Sequence, residues 1–325
     1  MKDTFLANRM KKTILFLFIL ISIAAHSQQQ NYIVVDRNGT GNFRNIQQAI
    51  DSVRAFNPAG TVTIFIKKGI YKEKLEIPTH ICNVRLIGED RDHTIINYDD
   101  HAKINNMGTF KTYTLKICGT DIRLENLTVE NTAAPLGQAV ALHVEGDRAV
   151  FVNCRFPGNQ DTVYTGKQNA RQYFENCYIE GTTDFIFGPS TAWFEECQIL
   201  CKRNSYITAA STPVQVKYGY IFNRCTVTLD SMVDSEYLGR PWRAYAMTLF
   251  MNCKLPKGIK PIGWDNWKNI ENEKTTRYME FNNSGDGADV SQRVSWSKKL
   301  NTKEAKEFTI EKVLGGFDNW NPTKK

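Results

Sequence analysis

The chain has 325 residues, 42% hydrophobic and 23% charged, which is enough for one large domain or two ordinary ones and excludes a globally disordered chain. Its formal charge of +7 suits an acidic partner without specifying one. No basic run interleaved with aromatics is present, which sets nucleic-acid binding aside.

The first predicted element is a signal peptide, residues 1–27. Lys11 and Lys12 supply a positive start, and Ile14 to Ala25 is a short apolar run. Ala25-His26-Ser27 then puts small residues around a cut after Ser27. The run is shorter than the roughly 20 residues of a spanning helix, so cleavage is expected and a stable membrane span is not. Cleavage removes Lys2, Arg9, Lys11, Lys12 and Asp3 and leaves a formal charge of +4. The mature chain, 28–325, is expected to be exported, periplasmic or secreted, and nothing in it demands more than a monomer.

Phe43 to Val53 reads as a short amphipathic helix, with Ile46, Ile50 and Val53 on one face. Beyond it lies an internal repeat. FVNCRF (151–156), FENCYI (174–179), FEECQI (194–199), FNRCTV (222–227) and FMNCKL (250–255) share Phe, two residues, Cys, one residue and an apolar side chain. The Cys-to-Cys steps are 23, 20, 28 and 28 residues. An earlier member, LENLTV (124–129), has Leu127 at the Cys position. Repeats of this length with β-type runs between them predict a solenoid. The fold expected is all-β, a right-handed single-stranded parallel β-helix with about three short strands per coil. The Phe43–Val53 helix would cap its N-terminal end.

In each repeat the Cys and the apolar residue two later share strand parity and point inward. The Phe has the opposite parity, which a bend near Asn153, Asn176 or Asn252 reconciles. Stacked on successive coils, the cysteines form an interior ladder of small apolar side chains, mostly reduced, with Cys197 and Cys201 near enough in sequence for one bridge. Pro256 to Asn283 breaks the repeat and is expected to form long loops over one face. Thr302 to Phe308 is helix-like after an Asn301 cap, giving a C-terminal helical segment.

Asp161 follows the Cys154 strand and Asp184 the Cys177 strand. The acids are 23 residues apart, the same as the step from Cys154 to Cys177. Adjacent coils lie about 4.8 Å apart, so this spacing sets the two carboxylates side by side on one face. Neighbouring carboxylates split their proton affinities, leaving one ionised and one protonated, a competent pair for acyl transfer. The same spacing also fits an acidic ladder that is solvated or binds calcium. Gln138 lies 22 residues before Gln160, so two amides can stack and donate to one oxyanion, or form a structural amide ladder. Arg240 can grip a carboxylate in a bidentate fork or form a surface ion pair. Trp242, Trp264 and Trp267 suit sugar stacking, although Trp is more often packed inside. No His or Cys spacing suggests a metal site, and no cofactor is expected.

QAVAL (138–142), GNQDTVY (158–164), DFIFG (184–188), YITAAS (206–211) and LGRPW (238–242) together resemble the pectin methylesterases, in that family's order. GTGNFRNIQQAI (39–50), GIYKEKLEI (69–77) and GWDNW (263–267) extend the likeness across nearly the whole mature chain. Val163 and Thr183 replace the family's usual Leu and Val, and neither swap removes a reacting group. The resemblance implies a right-handed parallel β-helix that hydrolyses methyl esters of galacturonate in pectin (homogalacturonan). It implies Asp184 as nucleophile, Asp161 as proton donor and then acceptor, and Gln138 and Gln160 as the anion hole. Arg240 would position Asp184, and Thr109, Gln138, Arg240, Trp242 and Trp264 would contact substrate. The alternatives are an esterase or thioesterase on another acyl group, a pectate lyase or polygalacturonase on the same fold, and a non-catalytic pectin-binding module.

Overall fold

The computed structural model describes residues 31–58 and 60–324; the predicted signal peptide lies outside them. The fold is decided at its corners. In the coil Ala149–Val152, Arg155–Phe156, Val163–Thr165, the chain turns between the first two strands at Asn153, whose φ is 49°. That left-handed conformation breaks the two-residue alternation, so Phe151 and Cys154 both face the interior. Asn126, Asn176, Asn252 and Asn282 make the same turn. Asn tolerates positive φ better than most residues, and the side-chain amides bond along the ladder, Asn153 to Asn126 at 2.8 Å and Asn282 to Asn252 at 2.9 Å. The bend expected between Phe and Cys is therefore present.

Among the described residues, repetition of this corner produces three parallel sheets. One has eleven strands, running from Tyr32–Val35 to Lys298–Lys299. The other two have seven strands each and close the prism. Neighbouring strands are parallel throughout, and the coils wind right-handed. The β-helix expected from the repeat is thus the observed fold.

The interior is built from ladders. Phe151, Phe174, Phe194, Phe222 and Phe250 stack with ring centroids 4.5, 4.7, 4.4 and 4.4 Å apart. Beside them run Cys154, Cys177, Cys197, Cys225 and Cys253, all buried. The Cys225 thiol donates weakly to the Phe194 carbonyl on the coil before it, at 3.3 Å. All eight cysteines are free, so the bridge considered between Cys197 and Cys201 is not made. Cys197 belongs to the corner ladder, whereas Cys201 ends the next strand, Gln198–Cys201. Phe194 is the middle rung of the aromatic stack. Phe194→Ala is expected to cost about 3–5 kcal/mol of unfolding free energy, read from the urea midpoint; a cost below about 1 kcal/mol would mean the stack does not carry the core.

The helix at the N-terminal end covers Ile46–Asp51, shorter than the sequence suggests, with Ile46, Ala49 and Ile50 buried. Glu73 caps it from a distant segment, accepting from the Ile46 and Gln47 N–H groups at 3.0 and 3.1 Å. Two expectations for the C-terminal third need correction. Pro256–Asn283 is not wholly loop, because Arg277–Phe281 continues the eleven-stranded sheet and Asn282 repeats the corner. Glu280 occupies the Phe rung there and is neutralised by Arg293 at 2.7 Å, which hides the repeat from an apolar pattern. Asn301 does cap a helix with a capping box, but the helix ends at Ala305, and a second one spans Ile310–Leu314. This segment lies on the outer face of the large sheet, where Val313 and Leu314 pack with Tyr173, Trp193 and Leu249. Arg171 fastens it by pairing with Asp147 and Asp318 and bonding the Leu314 carbonyl at 3.0 Å.

Candidate active site

A cleft opens on the outside of the sheet that contains Val163–Thr165, Ile186–Gly188, Tyr206–Ala210 and Tyr237–Gly239. Asp161 and Asp184 stand two residues before Val163 and Ile186, and these strand residues are directly paired. The acids therefore sit in register on neighbouring coils, as the 23-residue step predicted. The ladder continues through them. Asp161 N–H donates to the Thr183 carbonyl at 3.1 Å, and Asp184 N–H to the Tyr206 carbonyl at 2.8 Å. Both acids have positive φ, 65° and 50°. This local twist lets Phe185 and Ile186 enter the core while the carboxylates face the cleft.

The two acids differ in their partners. Arg240 donates to Asp184 in a fork, Nε to Oδ1 at 2.9 Å and Nη2 to Oδ2 at 2.6 Å. No side chain among the described residues makes a hydrogen bond to the Asp161 carboxyl. Both acids are nearly buried, 8% exposed for Asp161 and 6% for Asp184. Burial pushes the Asp161 carboxyl well above the ordinary carboxylate range, and the charge of Asp184 pushes it further. Burial also raises Asp184, but there the Arg240 fork works against it. The site thus favours a proton on Asp161 and a negative charge on Asp184.

The folded-state pKa of Asp161 lies above that of an aspartate in the unfolded chain, so between the two values the folded protein binds more protons than the unfolded chain. Stability is then lost as pH rises through the window between the two pKa values. Asp161→Asn removes that loss. The variant is expected to unfold at a higher temperature than the parent at pH 7, with the gap closing in acid; a lower melting temperature at pH 7 would contradict the assignment.

Gln138 and Gln160 face each other across a parallel bridge and line the same cleft. Thr109 begins a short 3-10 turn, Thr109–Lys111, at its edge. Trp242 follows Arg240 and forms part of one wall. Seven of the eight expected site residues are therefore brought together.

Trp264 is not among them. It is 1% exposed, lies in the core and stacks on Tyr278 at 4.2 Å. Gly263, with φ 71°, turns the chain so that Trp264 bridges to Gly239 and enters the interior. Three residues later Trp267 takes the place at the cleft. There the Asp265 carboxylate accepts the Trp267 N–H at 2.7 Å and bends the chain back. Sequence reasoning also passed over Phe110, Phe187 and Ala209, which line the cleft. A signal for Phe187 existed, since Tyr164 and Phe187 are paired by the same 23-residue step that pairs the acids. Their rings lie 4.9 Å apart, and Phe110 meets Tyr164 at 4.9 Å, making a nearly continuous aromatic wall beside the carboxylates.

A buried carboxylate forked to a guanidinium, a second buried carboxyl whose proton affinity is raised further by its neighbour's charge, and two amides converging on a cleft can carry out acyl transfer through an oxyanion. Aromatic walls suit the faces of sugar rings. Among the described residues no helix is long and apolar enough to cross a membrane.

Residues 32–317 match the family model described as Pectinesterase. Pectinesterase 31 of Arabidopsis thaliana is 38% identical over 285 residues, 84% of this chain and 89% of the relative. A probable pectinesterase/pectinesterase inhibitor of Brassica napus is 36% identical, but this chain spans only 50% of its length. Among solved structures, the pectin methylesterase from carrot superposes with a TM-score of 0.84 at 30% identity, covering 88% of this chain and 93% of that one. The pectin methylesterase from Erwinia chrysanthemi gives 0.77 at 31% identity, covering 91% and 99%.

Proposed function

This chain belongs to the pectinesterase family, and we propose that Asp184 and Asp161 carry out its reaction, the hydrolysis of methyl esters in pectin to methanol and free carboxylate. The observation that carries this reading is the in-register pair on adjacent coils, one acid forked to Arg240 and the other without an ionic partner among the described residues.

The ionised Asp184 oxygen attacks the C6 carbonyl of a methyl galacturonate unit. The carbonyl electrons move onto oxygen, where the side-chain amides of Gln138 and Gln160 donate to the negative charge. Collapse breaks the bond to the methoxy oxygen, which takes the Asp161 proton and leaves as methanol. What remains is an anhydride between Asp184 and the galacturonate carboxyl. Asp161, now a carboxylate, takes a proton from water as the water oxygen attacks the anhydride. Hydrolysis releases the acid and restores Asp184 as an ion and Asp161 as an acid. Thr109 and Trp242 border the sugar, and Arg240 keeps Asp184 aimed and charged. The mature protein is read as exported after cleavage near Ser27 and as acting as a monomer.

Incubation with highly methylated pectin is expected to release methanol and acidify the medium, with neither unsaturated products nor new reducing ends. Appearance of either product would favour a lyase or a polygalacturonase. Gln138→Ala and Gln160→Ala are each expected to lower kcat by about 10²–10³-fold, the usual effect of deleting one oxyanion donor. A change within about threefold in a folded variant would remove that amide from the anion hole.

A further inference from the structure

The pair Asp184–Arg240 is not made by neighbouring coils. Asp184 is followed along the axis by Tyr206, and Tyr206 by Tyr237, so Arg240 reaches back across the intervening coil. A long, flexible side chain spanning that gap needs something to hold it. The guanidinium is planar, and one edge is spent on the Asp184 carboxylate. Its two faces are covered by aromatic rings, Tyr206 with its centroid 3.9 Å away and Trp267 at 3.7 Å. Tyr206 is itself braced by stacking on Tyr237 at 5.0 Å. Trp267 is set in place by the Asp265 turn.

We infer that Tyr206 and Trp267 are positioning residues for the reaction, clamping Arg240 between their rings so that its fork stays closed on Asp184. The inference rests on the proposal that Asp184 is the nucleophile. A guanidinium that swings away leaves Asp184 buried without its counterion, protonated and inert. An aromatic sandwich restrains the swing because both ring faces attract the cation and only in-plane motion escapes them. Tyr206 separates this role from substrate contact. It does not line the cleft, and its hydroxyl makes no hydrogen bond among the described residues. Trp267 does line the cleft and can touch substrate as well.

The charged and titratable groups around Asp184 are Arg240, Asp161, Asp265, the buried Glu236, Tyr206 and Tyr278. Of these described groups only Arg240 is cationic, so any loosening of Arg240 raises the proton affinity of Asp184. The acid limb of the pH–rate profile, where activity is lost as Asp184 takes up a proton, then moves to higher pH.

The test uses the mature protein and methylated pectin. Tyr206→Leu is expected to lower kcat about 3- to 30-fold and to shift the acid limb upward by about half to one pH unit, with KM little changed. Tyr206→Phe, which keeps the ring, recovers most of that rate. Mono-, di- and trifluorinated phenylalanine at position 206 preserve shape while draining the ring face, so kcat falls stepwise and the acid limb climbs stepwise. That series remains readable even if the Leu variant does not fold. Rates and pH profiles indifferent to ring fluorination would overturn the clamp, as would a folded Tyr206→Leu protein that matches Tyr206→Phe. Asp184→Asn serves as the control. If it retains activity, the nucleophile assignment fails; if it is inactive while position 206 is silent, only the clamp fails.

Discussion

Asp184→Asn should reduce methanol release from methylated pectin by on the order of 10⁴-fold or more, leaving a residue set by binding and the anion hole alone. The substitution keeps the volume and the left-handed turn, since Asn adopts positive φ as readily as Asp. It removes the negative charge proposed to attack carbon and leaves Arg240 without its Asp184 ion pair. The protein should still fold, because the coil is held by backbone bonds on either side, Asp161 N–H to Thr183 and Asp184 N–H to Tyr206. Methanol release, a melting curve and pectin binding measured together separate chemistry from folding. Near-parental turnover by the folded variant would remove Asp184 from the reaction.

The second large effect belongs to Asp161. Asp161→Asn should lower kcat on methyl esters by about 10²–10⁴-fold, the range of positioned acid–base assistance. Its signature is selectivity for the leaving group. Methoxide is a poor leaving group and needs a proton, whereas a phenolate leaves largely unaided. With an aryl ester of an oligogalacturonide the first step should recover much of its rate. The second step still needs Asp161 as base, so the variant should show a burst of phenol followed by slow turnover. Equal losses on methyl and aryl esters, with no burst, would argue against Asp161 as the proton donor. The parent protein should show a bell-shaped profile. Activity rises with pH as Asp184 loses its proton and falls as Asp161 loses its own, and burial moves both limbs above the range of an exposed aspartate.

Where the chain repeats strictly, its sequence disclosed the architecture. From 151 to 253 the Phe-x-x-Cys corner recurs because each ring stacks on the ring before it with a small side chain beside it, and each of these coils makes the same corner. One coil length then located the acids and amides, since residues one period apart must stack. The coils before residue 124 were less legible. There Ile64, Leu86 and Leu124 succeed one another as ordinary aliphatic residues, which any strand would bury. The last coil was hidden because Glu280 and Arg293 replace an aromatic rung with a buried ion pair. Trp264 and Trp267 could not be told apart, because both lie in a stretch without periodicity. Which indole turns inward depends on Gly263 and on the Asp265 turn, neither of which a spacing rule captures. The aromatic clamp on Arg240 was likewise out of reach, since it joins one strand residue to one loop residue across three coils.

Mass mapping of the quenched reaction bears most directly on the proposed chemistry. Asp161→Asn protein, mixed with an aryl ester of an oligogalacturonide and stopped in acid during the burst, should carry one galacturonyl adduct. Digestion should place it on the peptide containing Asp184, and hydroxylamine should discharge it. An adduct on a serine or cysteine elsewhere, or a burst of phenol with no covalent adduct at all, would contradict direct attack by Asp184.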